Sequence, residues 1–534
     1  MKHIALTCLT LLIGSNALAQ SIEINTLGQA QSFDIGVLDS SNGGLDQTLW
    51  NGTSAEKATF LIEQLPTHSQ NSAAKKLAQA ALLSSGVPPI SNNSEAIGDF
   101  RKARLKAILS QGHMHAAQTI VSREPDLSTD YDLQADMALL SGNYEQACTI
   151  SDSIVEGRAE PNWAKLRAFC HILRDETAAA ELTTELLQNN GHKDDNFFAL
   201  MRRLLDSSTD ARLNDISDDP LIIALMDQSA TPWPANRPPY IVTARQALTN
   251  SASPEARLIA LYSADQALSD QEMDTVLQSL AEAKDDDANI LAGGGSDYDY
   301  ESAVKAETPS GTGQLYLLAQ NGSSDDQSKA MTELLKRADK AGAFDRFVTL
   351  MAPHIQSLSV KEQVSSDTDL YVRTAIYRSD IATLQQIHQL LEDKPNLQSR
   401  IALATDALAY GFLGGALGTD IETRLEKDGA TYLRAERDTF IALALGANLS
   451  DKAAESLFTA SPEEEVSRPV AKLRVLEQAA KSGARAETAL IAADLLANSK
   501  LDNSSFYKVI RALNDTGMTS FAGQLAAMDF WASE

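Results

Sequence analysis

The strongest chemical signal in this sequence is a pair of cysteines, Cys148 and Cys170, two of only three in the chain. Tyr144, Ala147, Cys148, Ser151, Ile154 and Val155 recur at helical spacing on one stripe, and so do Trp163, Leu166, Cys170 and Leu173. Both thiols therefore face the packed side of their helices. If the chain reverses around Glu156 to Asn162, residue 159 is the midpoint of the reversal and of the cysteine pair, which puts the two at one height. A disulfide needs Cα atoms about 4.4 to 6.8 Å apart, a spacing that closely packed helices allow at inward positions. The expectation is a buried cross-link, with two buried free thiols as the alternative. Redox catalysis is not expected, because burial opposes thiolate formation.

Other residues that could do chemistry do not converge. His113 and His115 are two apart, so on a helix they point about 200° apart and cannot chelate together. His171, His192, His354 and His388 are scattered, and neither a His-Glu-x-x-His nor a Cys-x-x-Cys occurs. Asp297, Asp299 and Glu301 match the first positions of a calcium loop, but Ser302 stands where the loop needs Gly and Thr308 where it needs Glu. The triplet Gly293-Gly294-Gly295 has neither a preceding strand nor a helix-opening Lys-Ser/Thr to make a phosphate cradle. There is no Gly-x-Ser-x-Gly elbow, and acidic residues are too plentiful for one glycosidase pair to stand out. No cofactor, metal or catalytic residue is expected. Trp233 and Tyr240 lie among Pro232, Pro234, Pro238 and Pro239 and are possible partner contacts, since such prolines favour extended backbone. The blander reading is a stiff surface loop with Trp233 tucked against the helices.

The elements that would position these residues follow from length and periodicity. A chain of 534 residues exceeds the roughly 250 to 300 at which a single core stops growing. Abundant Ala and Leu, with aromatics at 6%, favour an all-α fold. The net charge of −27, with no Lys/Arg cluster on one helix face, argues against nucleic acid and anionic membranes as partners. Lys2, the apolar run Ile4 to Ile13 and Ala17-Leu18-Ala19 read as a signal peptide over 1–19, which predicts an exported, periplasmic protein. The apolar run falls short of the roughly 20 residues that span a bilayer, and no later segment reaches that length. An extended N-terminal arm is expected over 20–53. Helical halves are expected at 54–284 and 314–534, separated by an acidic, Gly-rich linker at 285–313.

Within the first half, turns at Gly112, Gly142 and Arg174 are 30 and 32 residues apart, each with an alanine about five residues on. Tyr131 and Trp163 open the helices that precede two of these turns. The last hairpin, around Gly517 and Ala522, repeats the pattern, and its predecessor turns at Gly483. This layout resembles a degenerate tetratricopeptide repeat, which implies an α-solenoid of antiparallel helix pairs. The arm, with Gly36-Val37-Leu38, Gly43-Gly44-Leu45 and Leu49-Trp50-Asn51-Gly52-Thr53 before helical hairpins, resembles exported helical proteins of Gram-negative bacteria. That second resemblance brings no catalytic residue with it. The expected function is a non-enzymatic scaffold or adaptor holding a protein or peptide in its groove. The alternative is a cell-wall glycan enzyme or its helical accessory domain.

Overall fold

The computed structural model describes residues 36–66, 69, 71–124, 127, 130–209, 211, 213, 218–231, 242–251, 253–263, 268–283, 300–305, 307–414, 432–447, 469–498 and 500–532. The signal peptide, Trp233, Tyr240, the Gly293–Gly295 triplet, Asp297 and Asp299 lie outside these residues. The fold is all-α; among the described residues there is no strand, and Leu38–Ser84 and Ser54–Ile90 are isolated parallel bridges.

The helices are α1 (Ala55–Glu63), α2 (Ser72–Leu83), α3 (Ser94–Ser110), α4 (Met114–Arg123), α5 (Tyr131–Leu140), α6 (Tyr144–Ser153), α7 (Pro161–Leu173), α8 (Thr177–Asn189), α9 (Asp195–Leu205), α10 (Pro220–Gln228), α11 (Val242–Ala247), α12 (Pro254–Ser263) and α13 (Asp270–Ala281). They continue with α14 (Tyr300–Lys305), α15 (Pro309–Asn321), α16 (Ser324–Lys340), α17 (Phe344–Leu350), α18 (Ala352–Ser357), α19 (Val360–Tyr377), α20 (Ile381–Leu390) and α21 (Pro395–Leu413). The last five are α22 (Tyr432–Ala444), α23 (Val470–Lys481), α24 (Arg485–Asn498), α25 (Asn503–Asp515) and α26 (Thr519–Trp531). α19 breaks at Asp367, whose extended backbone ends one segment and whose carboxylate accepts from the Leu370 N–H to start the next.

One turn recurs throughout. At Gly112, Gly142, Asp175, Gly191, Ala230, Gly342, Ser379, Gly446, Gly483 and Gly517 the backbone enters the left-handed region. In all ten, the next residue's N–H donates to the carbonyl five positions back, as His113 does to Ile108, Glu176 to His171 and Met518 to Leu513. This is the Schellman ending, which satisfies carbonyls that a helix terminus leaves free. Seven of these turns join two helices that double back on each other: α3/α4, α5/α6, α7/α8, α16/α17, α19/α20, α23/α24 and α25/α26. Five residues after each left-handed residue stand Ala117, Ala147, Ala180, Phe347, Leu384, Thr488 and Ala522, all 0% exposed.

Four sequence expectations change here. The third turn centres on Asp175, one residue after Arg174, so its buried partner is Ala180. Burial, and not small size, is what recurs at that position, because Phe347 and Leu384 fill it in later hairpins. Tyr131 is 48% exposed whereas Trp163 is 6% exposed, so the aromatic that opens the first helix of a pair is not a recurring buried position. In the expected linker, Tyr300–Lys305 and Pro309–Asn321 are helices. Thr308 caps the second, Pro309 supplies its first residue, and Gly313 lets it approach α13 so closely that a Cβ there would fall 2.2 Å from the Ala281 backbone nitrogen.

The buried apolar residues group differently from the division into 54–284 and 314–534. One core joins Leu45 through Ala260 to Val372 through Trp531, and a second covers Leu261 to Tyr371. The chain thus closes on itself. α2 packs on α24 and α26, the Ala486 N–H donates to the Leu49 carbonyl at 2.9 Å, and Lys57 pairs with buried Glu487. Residues 36–53 fill the joint, with Leu49 and Trp50 fully buried. Arg104 caps the end of α2 from below, donating to the carbonyls of Leu82 and Ser84, both at 2.7 Å.

Candidate functional site

Where the chain closes, α2, α16, α17, α19 and α26 surround a cleft of about 480 Å3. Its walls are Ser72; Asp339, Gly342, Phe344 and Asp345; Asp369, Arg373, Ile376 and Tyr377; and Met528, Trp531 and Ala532. Local sequence sets each wall. Asn71 caps α2 by accepting from the Ala74 N–H at 3.0 Å, which makes Ser72 the first helical residue. The left-handed Gly342 turns the chain between Asp339 at the end of α16 and Phe344-Asp345 at the start of α17. The break at Asp367 re-aims α19, so that Asp369, Arg373 and Tyr377 follow on its second segment.

Charges and rings are paired across the cleft. Arg373 grips Asp339 with both terminal nitrogens, at 2.5 and 2.8 Å, and lies 4.5 Å over the Phe344 ring. The hydrogen bond to Asp339, helped by Asp369 and Asp345, holds its guanidinium above its ordinary range. The Trp531 indole N–H donates to Asp369 at 2.9 Å, and Arg400 lies 4.6 Å over the same ring while donating to the carbonyls of Phe530, Trp531 and Ala532. Lys76 sits 3.8 Å over the Tyr377 ring and donates to Gln524 Oε1 at 3.1 Å. Burial pulls its pKa down to about 8, against the opposing pull of Asp345. The Ser72 hydroxyl is out of solvent and has no hydrogen-bond partner in the protein.

Cys148 and Cys170 are bonded, with Cα atoms 5.6 Å apart and exposures of 3% and 1%. The bond ties α6 to α7 and so joins two successive hairpins instead of closing one. His113 starts α4 as its cap residue, and Glu301 pairs with Lys305 on α14. Among the described residues, no group of three or more His, Cys, Asp or Glu is placed to hold a metal ion. No described helix is long and apolar enough to cross a membrane.

A second charged region lies at α5 and α10. Asp136 is exposed on α5, and the atoms crowding it, then Asp219, Asp132 and Asp130, push it up to about 7, with Lys106 opposing. Toward the other end of α10 the Tyr144 hydroxyl donates to Asp227 at 2.8 Å. No local sequence pattern links the cleft residues; the Trp531–Asp369 hydrogen bond alone spans 162 positions. Comparison of this chain with protein-family models, with curated proteins and with solved structures found no match.

Proposed function

We propose that this protein is an exported, non-enzymatic α-solenoid, of tetratricopeptide-like pairs, that holds a protein or peptide partner as a scaffold or adaptor. The observation that supports it is the recurring hairpin: seven helix pairs share one turn geometry and one fully buried position five residues later. Units of that kind bury their apolar faces against neighbours and leave a long surface for a partner. The Cys148–Cys170 bond is in keeping with export to an oxidising compartment.

The test is affinity capture from a periplasmic extract by the immobilised mature protein, with a parallel assay of purified protein on isolated cell wall. Reproducible retention of particular proteins, and no release of glycan fragments, is the expected result. Release of soluble fragments from the wall would replace the scaffold with the alternative, a glycan-cleaving enzyme or its helical accessory domain.

A further inference from the structure

A second cavity, of about 370 Å3, lies among α18, both segments of α19 and the start of α20. Most of its polar lining is engaged within the protein. The Gln363 carboxamide donates to the carbonyls of Ile355 and Leu358, at 3.1 and 3.2 Å, and so closes the end of α18. The Ser359 hydroxyl donates to Glu362 at 2.6 Å, the Thr374 hydroxyl to the Leu370 carbonyl at 2.8 Å, and the buried Tyr371 hydroxyl is bonded to that of Thr332. Asp380 caps α20: one oxygen accepts the Thr383 N–H at 3.0 Å and the other the Thr383 hydroxyl at 2.9 Å. The helix N-terminus thus offsets its charge. Three polar side chains of the lining are left, Arg378, Gln356 and Gln386, and none of them has a hydrogen bond or ion pair among the described residues. Both glutamines are exposed. Arg378 is half-buried at the end of α19, on the stripe of Tyr371 and Thr374 that faces the cavity. A guanidinium donates from every nitrogen and accepts from none, and drawing it out of water without a partner costs free energy.

We propose that this cavity binds a ligand through a single carboxylate, held by the Arg378 guanidinium, with the Gln356 and Gln386 amides as further donors. What the lining leaves unused is chiefly donors around one cation, and a carboxylate is the acceptor-only group that matches the planar fork of a guanidinium. A phosphate carries nearly twice the charge, and the excess would face Asp380 and a chain of net charge −27. A cationic ligand would meet Arg378 itself. Half-buried Val360 offers the carrier of the carboxylate an apolar contact, and the volume is within the range of small-molecule sites. A peptide C-terminus and an acidic side chain both present this group, and the experiment separates them. The inference goes beyond the scaffold reading and does not rest on it, since partner capture and ligand binding in this cavity are read by different measurements.

Calorimetric titration of the purified full chain tests it with two probes: N-acetyl-L-leucine, whose carboxylate is the chain end, and N-acetyl-L-glutamic acid α-amide, whose carboxylate is the side chain. N-acetyl-L-leucinamide and inorganic phosphate are the controls. At least one carboxylate should bind, and the tighter of the two identifies the source. Leucinamide and phosphate should bind roughly tenfold more weakly or not at all, the worth of one charge-assisted hydrogen bond. Arg378→Gln breaks no hydrogen bond or ion pair among the described residues, so it should melt close to the parent and lose roughly tenfold or more in affinity for the carboxylate. No heat with either carboxylate, leucinamide or phosphate binding as tightly, or an unchanged affinity in Arg378→Gln would each overturn the proposal.

Discussion

Gly411 on α21 and Gly523 on α26 meet backbone to backbone, so closely that a Cβ on Gly523 would lie 2.9 Å from the Gly411 Cα and 2.5 Å from the Ala407 carbonyl. α21 continues through Gly411 to Leu413 and ends at the left-handed Gly414. Gly411 is there because α26 needs to lie against it. Gly523→Ala should destabilise the protein by about 2 kcal/mol, since overpacking a close contact with backbone on both sides costs on the order of 1 to 3 kcal/mol. A urea denaturation curve reads this as a lower midpoint at unchanged slope; an unshifted midpoint would mean the helices are not in this contact.

The Cys148–Cys170 bond closes a segment of 22 residues. Its removal by reduction or by the double Cys→Ala change should cost about 3 kcal/mol in the loop-entropy account. Thiol titration of unreduced, denatured protein should find neither Cys148 nor Cys170 free, with a 148–170 cross-linked peptide by mass spectrometry. Two free thiols from these positions would contradict the bond.

Ser379 holds φ +54° at the turn between α19 and α20; all seven hairpin turns follow the same design, and five of them use glycine. A side chain in that region costs roughly 1 to 2 kcal/mol, which glycine avoids at some cost in unfolded-state entropy. Ser379→Gly should therefore stabilise by about 0.5 to 1 kcal/mol net. Thermal unfolding checks it, and a lower Tm would show that the turn does not need the left-handed conformation.

Asp136, raised to about 7 from an ordinary 3.8, is easier to protonate in the folded chain than in the unfolded one. The folded state then binds more protons between those values, so this group's contribution is full below about pH 4 and is lost as pH rises through 7. Asp136→Asn should leave Tm unchanged at pH 4 and raise it at pH 8. A variant that melts like the parent at both pH values would show that the surroundings of Asp136, Asp219, Asp132 and Asp130 among them, do not raise its pKa in the fold.

How much of this was legible in the sequence depended on whether the signal was local. Gly112, Gly142, Gly483 and Gly517 announced their turns because glycine is the residue a left-handed helix end prefers. Asp175 does not, and the apolar spacing around it points to Arg174, one residue before the left-handed position. The cysteine pair was legible because stripe and spacing are both local properties of α6 and α7. Thr308-Pro309 carries a helix-start signal, but the neighbouring Gly-Thr-Gly reads as linker until α13 is seen against it. The cleft was illegible because Ser72, Asp369 and Trp531 come together only through the closure of the chain. Periodicity within each helix does not encode which distant helix it meets.

That closure is the relationship from which the shared core and the cleft both follow, and one measurement addresses it directly. A protease site introduced between Gly294 and Gly295 allows the folded chain to be cut into two fragments, which are then run on gel filtration without denaturant. Because α2 packs on α24 and α26, and Leu49, Asp46 and Lys57 contact Ala486, Arg485 and Glu487, the fragments should co-elute at the volume of the uncut protein. Two halves eluting separately, each folded, would contradict it.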